Sequence, residues 1–158
     1  MRVIRLALIA AVVPTMCSYT AAQTHKAPFT LTISTDTPTV KSGSAVSINI
    51  AMMNTSNHDV SCSKVYMDSG VDMSYHYDVM GPLGERISKG IRKHPELEAG
   101  SIFPCTLEPG KSSIVPSTSR ISALFDMSKP GMYAVQVWRK VKGFPPVRSN
   151  KIQITVTP

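Results

Sequence analysis

The sequence predicts an all-β fold, an antiparallel β-sandwich of seven to nine short strands with Greek-key connections. Three observations carry this. Apolar residues alternate at period two in several segments, turn residues separate those segments at short intervals, and no segment shows a useful helical period. The sharpest turn is Pro130-Gly131. Tyr133, Val135 and Val137 follow it on one face, with Gln136 and Lys140 on the other. A tyrosine just after such a turn, with Asp126 upstream, has the form of a tyrosine corner, in which a buried ring bonds backbone through its hydroxyl. Asp126, Gly131 and Tyr133 are therefore expected to form a structural corner.

The chain has 158 residues, enough for one domain. Arg2 and Arg5 precede the apolar run Leu6–Val13, and Thr20-Ala21-Ala22 supplies small residues. This is the plan of a secretory signal peptide over residues 1–22, cleaved after Ala22. The run is well short of the roughly 20 residues of a membrane helix, so no transmembrane segment is expected in the mature chain. Cys17 follows Met16, an unsuitable neighbour for a lipidation site. Residues 23–28 read as a short flexible lead-in and 29–158 as the sandwich domain.

Removing residues 1–22 takes Arg2 and Arg5 with it, so the 17 basic residues fall to 15, against 10 acidic, a balance of +5. These charges are scattered rather than striped with aromatics, which argues against a nucleic-acid partner. Cys62 and Cys105 remain after cleavage. An even pair in an exported chain reads as one disulfide, the alternative being two buried free thiols.

In chain order, Phe29–Ser34 alternates as a first strand. Asp36–Pro38 and Lys41–Ser44 are turn material. Val46–Met52 is the cleanest alternation, with Val46, Ile48, Ile50 and Met52 inward. Asn54–Asp59 is a turn cluster whose Asn54-Thr55-Ser56 matches a glycosylation sequon but serves a strand end equally well. Val60–Tyr66 is a weak strand carrying Cys62, and Met67–Ser74 a loop. Ser74–Val79 puts Tyr75, Tyr77 and Val79 on one face and His76 and Asp78 on the other, then returns through Gly81–Glu85 to Arg86–Ser88. Gly90–Pro104 reads as a long loop with one helical turn at Pro95–Ala99. Ser112–Ser119 is broken by Pro116 and belongs at an edge or a bulge. Arg120–Phe125 is a short strand or turn, and Asn150–Thr157 closes the fold.

Val40–Ile50 with Asn54–Ser56, Tyr77-Asp78-Val79 with Gly84-Glu85, and Leu107–Gly110 with Asp126–Tyr133 together resemble exported bacterial immunoglobulin-like domains. They are also similar to the BsuPI-type proteinase-inhibitor domain. The resemblance implies an immunoglobulin-like sandwich over roughly Phe29–Val156 and no set of inhibitory residues. The pattern departs from antibody-type domains: Val135 stands two positions past Tyr133, and Trp138 lies on the same strand as Tyr133.

No catalytic constellation is present, and an enzyme is not expected. Gly110-Lys111-Ser112 lacks the earlier glycine of a phosphate loop, since that position is Cys105. Asp68, Asp72 and Asp78 match neither a calcium loop nor an acid/base pair. Met73, His76 and Met80 offer soft ligands for copper(I), yet His76 and Met80 lie roughly 13 Å apart along a strand. No metal site and no cofactor is expected. Arg92, Lys93, His94, Glu96 and Glu98, on a loop next to Cys105, are the expected binding surface. The expected function is an exported binding module of the cell envelope or extracellular space, secreted or periplasmic, whose partner is a protein or an envelope component. The alternative is a proteinase inhibitor working through Gly81–Glu85 or Gly90–Pro104.

Overall fold

The computed structural model describes residues 26–67, 70–90, 100–141 and 144–158, without the side chains of 113–118. It is all-β. In chain order the strands are β1 (Phe29–Ser34), β2 (Thr39–Lys41), β3 (Ser47–Asn54), β4 (Val60–Met67), β5 (His76–Met80), β6 (Gly100–Leu107), β7 (Ser112–Arg120), β8 (Gly131–Arg139) and β9 (Val147–Thr157). A 3-10 turn, Ile121–Ala123, follows β7. The signal peptide, Cys17, the predicted turn Pro95–Ala99 and the expected binding residues Arg92, Lys93, His94, Glu96 and Glu98 lie outside the described residues.

Strands β1, β3 and β7 form one sheet; β2, β9, β8 and β5 form a second; β4 and β6 pair as a separate ribbon. Neighbouring strands are antiparallel except β2 and β9, which run parallel. Period-two alternation explains the first two sheets. Phe29, Leu31, Ile33, Ile48, Ile50 and Met52 project from the first sheet into a core they share with Val79, Tyr133, Val135, Val137, Ile154 and Val156 of the second. The residues between them face out.

Pro116 sits where β7 departs from regular pairing. Ile48 faces Ser119 but Ile50 faces Val115, so β7 carries extra residues opposite Asn49. A proline that cannot donate to the ladder is accommodated at such a bulge on an edge strand.

Two segments differ from the sequence reading. Gly100–Pro104, expected as loop, belongs to β6, where each residue has a partner on β4 and Pro104 faces Ser63. Cys62 and Cys105 are directly opposed in that ribbon, with Cα atoms 4.9 Å apart, and are joined as a disulfide. A two-stranded ribbon is marginal alone, and the crosslink compensates. Thr39–Lys41, between two turn signals, pairs with Thr155–Thr157. Three residues carry too little period to announce a strand.

The corner at the start of β8 is built from its own sequence. Asp126 Oδ1 accepts from Ser128 N at 3.0 Å and from Ser128 Oγ at 2.6 Å. These bonds hold the Asp126 carboxyl below its ordinary pKa. Gly131 has φ +140° and lies against Pro82 of the β5 hairpin turn. Tyr133, 1% exposed, donates its hydroxyl to Lys129 O at 2.9 Å. Tyr133→Phe is therefore expected to cost about 1 kcal/mol of folding stability through one lost buried hydrogen bond. A thermal melt checks this, and an unchanged melting temperature refutes the bond's contribution.

Candidate functional site

The second sheet turns one face to the core and leaves the other to solvent. On that outer face, pairing of β5, β8 and β9 sets side chains in transverse ranks. His76, Trp138 and Arg148 form one rank; Asp78, Gln136 and Lys151 form the next. The second rank follows simple alternation. The first does not, because β9 shifts register between the partners of Gln136 and Trp138.

That shift is a bulge at Ser149-Asn150, and it reassigns three side chains. Ser149 turns inward, where its Oγ accepts from Val137 N at 3.0 Å. Asn150 reaches the other sheet: its Oδ1 accepts from Ile33 N at 2.8 Å, and its Nδ2 donates to Ile33 O at 2.9 Å. Arg148 is left facing outward beside Trp138. Bulges commonly re-aim a side chain in this way next to functional sites.

Trp138 stands between two cationic or ionisable neighbours. The His76 ring stacks on the indole at 3.9 Å between centroids, 12° from parallel. The Arg148 guanidinium carbon lies 5.8 Å from the indole centroid on the β9 side, within cation–π range. Arg148 Nη1 also donates to Asp78 Oδ2 at 2.9 Å. Arg86, from the far side of the hairpin, bonds the other carboxylate oxygen, Asp78 Oδ1. One carboxylate thus holds two guanidiniums in place.

Around these ranks runs an open groove of about 480 Å3, whose lining includes Asp78, Arg86, Gln136, Trp138, Arg148 and Lys151. Three formal positive charges face one negative there. A second depression of about 400 Å3 shares Asp78, Arg86 and Trp138 with the groove and continues past His76, Tyr75 and Phe125. The arrangement can bind: it offers a ring, fixed guanidinium donors and an amide.

A buried polar cluster lies nearby, around Asp72, which is 1% exposed. Asp72 Oδ1 accepts from Ser74 N at 2.9 Å and Val65 N at 3.2 Å. Oδ2 finds no partner among the described residues. Tyr77 donates its hydroxyl to Asp72 O at 2.6 Å and also meets Ser119 Oγ. Burial pushes the Tyr77 hydroxyl far above its ordinary pKa. Burial raises Tyr75 as well, against the downward pull of Arg139, whose guanidinium lies 5.4 Å from the ring centroid. Tyr77 stays a protonated donor, and the cluster locks the segment after β4 onto β7.

The sequence-predicted residues are thus dispersed. Cys62 and Cys105 sit in the β4–β6 ribbon. Asp126, Gly131 and Tyr133 lie at the opposite end of β8 from Trp138 and take no part in the groove. Among the described residues, no group of three His, Cys, Asp or Glu is placed to hold a metal ion. Among them too, no helix is long and apolar enough to cross a membrane.

No family model and no curated protein matches the chain. Among solved structures it is similar to a β-glucosidase from Erythrobacter marinus, with TM-score 0.42, 11% identity, and coverage of 82% of this chain and 15% of that one. It is also similar to a β-glucosidase from Listeria innocua in complex with isofagomine, with TM-score 0.42, 13% identity, and coverage of 81% and 16%. The chain therefore spans a small part of the length of either enzyme. Likeness at this level assigns neither family nor activity.

Proposed function

We propose that the chain is an exported, non-enzymatic binding module with an immunoglobulin-like sandwich, and that it engages an envelope component through the outer face of its second sheet. The single observation that carries this reading is the outward-facing rank His76–Trp138–Arg148, brought into line by the β9 bulge. Backbone pairing of β8 with β5 and β9 sets these side chains beside one another before any ligand arrives, which lowers the ordering cost of binding. The leader-like start of the sequence and the Cys62–Cys105 crosslink support an oxidising, extracytoplasmic setting, secreted or periplasmic. The surface proposed is the sheet face; the loop residues Arg92–Glu98 lie outside the described residues.

Trp138→Ala is expected to weaken retention of solubilised envelope material by about tenfold or more, as removal of a central aromatic anchor does. Immobilised wild-type and variant protein, assayed for retained protein and polysaccharide, make the comparison. Equal retention by a folded variant removes the groove from consideration.

Proteinase inhibition remains a second reading because Leu83 is 93% exposed at the tip of Gly81–Glu85. That turn closes on itself, with Gly81 N donating to Glu85 O at 2.7 Å and Leu83 N to Glu85 Oε2 at 2.9 Å. It presents a fixed knob rather than an extended segment. Undiminished cleavage by serine and metalloproteases in its presence would remove this reading.

A further inference from the structure

We infer that the groove selects a carboxylate-bearing polysaccharide, and that Asp78 is a built-in competitor holding the place of the ligand's carboxylate. The inference rests on the reading of this groove as the binding face and adds the chemistry of what it takes. Arg86 and Arg148 converge from two separate segments on one carboxylate, Asp78. Guanidinium forks match carboxylates in geometry. Both arginine side chains remain more than half exposed, 73% and 53%, so each reaches solvent while bound to Asp78. Lys151 adds a third positive charge in the adjacent rank. With one internal carboxylate against three cations, the groove keeps an uncompensated attraction for anions.

The same geometry favours a glycan over an acidic peptide. Extended peptides are commonly held by main-chain hydrogen bonds to a free strand edge. The floor of this groove is β8, which pairs with β5 on one side and β9 on the other. The β8 backbone is committed to those two ladders, so recognition over the floor falls to side chains. Gln136 supplies an amide, the arginines supply forks, and Trp138 supplies apolar surface. That set reads hydroxyls, carboxylates and the apolar faces of sugar rings.

The competitor makes a prediction of unusual sign. Asp78→Asn removes a charge from the site yet should tighten binding of polygalacturonate by about fivefold, the scale of an exposed ion pair. Arg148→Ala should weaken it, and added salt should weaken it for both wild type and Asp78→Asn. Trp138 is the only tryptophan, so its fluorescence reports directly from the groove. The titration uses polygalacturonate, neutral dextran and poly-glutamate, with melting curves to confirm that each variant folds. If Asp78→Asn proves unstable, Asp78→Ser, which also frees both guanidiniums, should tighten polygalacturonate binding and serves instead.

Saturable binding of polygalacturonate, tightened in Asp78→Asn and absent with dextran, supports the inference. Equal binding of dextran overturns the selection for carboxylates. Binding of poly-glutamate as tight as that of polygalacturonate overturns the preference for a glycan. Weaker polygalacturonate binding by folded Asp78→Asn overturns the competitor role. Should no polygalacturonate bind while envelope retention still depends on Trp138, the ligand chemistry is wrong and the binding face stands. Loss of both discards the face as well.

Discussion

Asn54→Ala is expected to cost about 3 kcal/mol of folding stability, because it removes a buried amide that makes four hydrogen bonds and leaves Leu107 O and Ser56 N without that partner. Asn54 is 1% exposed at the end of β3. Its Nδ2 donates to His58 O and Leu107 O, each at 2.8 Å. Its Oδ1 accepts from Ser56 N at 2.8 Å and Ser56 Oγ at 2.7 Å. One side chain thereby closes the β3–β4 turn and ties it to the end of β6. Urea unfolding of the variant with the disulfide intact should show a lower midpoint with little change in slope. A loss under about 1 kcal/mol would mean that solvent reaches those groups and replaces the side chain. The sequon Asn54-Thr55-Ser56 acquires a structural meaning here, since its amide is occupied inside the fold.

Gly131→Ala is expected to lose about 2–4 kcal/mol, from a backbone conformation that side chains resist and from overpacking. The φ of +140° is one cause. The other is Pro82: a Cβ at this position would stand 2.5 Å from Pro82 Cβ and 2.6 Å from Pro82 Cγ. Neither atom is the tip of a flexible chain, so the hairpin turn or β8 must shift. The two causes separate in a double variant. Pro82→Gly in the Gly131→Ala background should restore the part due to crowding and leave the part due to φ. Full restoration would show that backbone conformation contributes nothing at this corner.

Much of the fold was legible because two-residue alternation is a local signal. Tyr133, Val135 and Val137 could be placed inward, and Gln136 outward, from spacing alone. The same spacing sets Trp138 outward beside Gln136. Its partners are another matter. His76 and Arg148 meet Trp138 only through the register of two different strand pairs, and register is a tertiary property. The Ser149-Asn150 bulge was the hardest feature to foresee. Its trace in the sequence is a pair of polar residues breaking the spacing between Val147 and Ile152. The β4–β6 ribbon was obscured by Pro104 and by the even exposure of β6, which show no inward face. Arg92, Lys93, His94, Glu96 and Glu98 stand out because their charges are clustered in sequence, and they lie outside the described residues, whereas the charges of the groove are spread over Asp78, Arg86, Arg148 and Lys151.

The position of β9 also bears on when the molecule can fold. It lies between β2 and β8 in the second sheet, and its Asn150 grips β1 in the first. Strands separated by more than a hundred residues in sequence therefore close together, a topology that folds on the slower scale of milliseconds to seconds. A nascent chain emerging from the ribosome cannot complete either closure until β9 itself has been synthesised. During that interval the second sheet lacks the strand that joins β2 to β8.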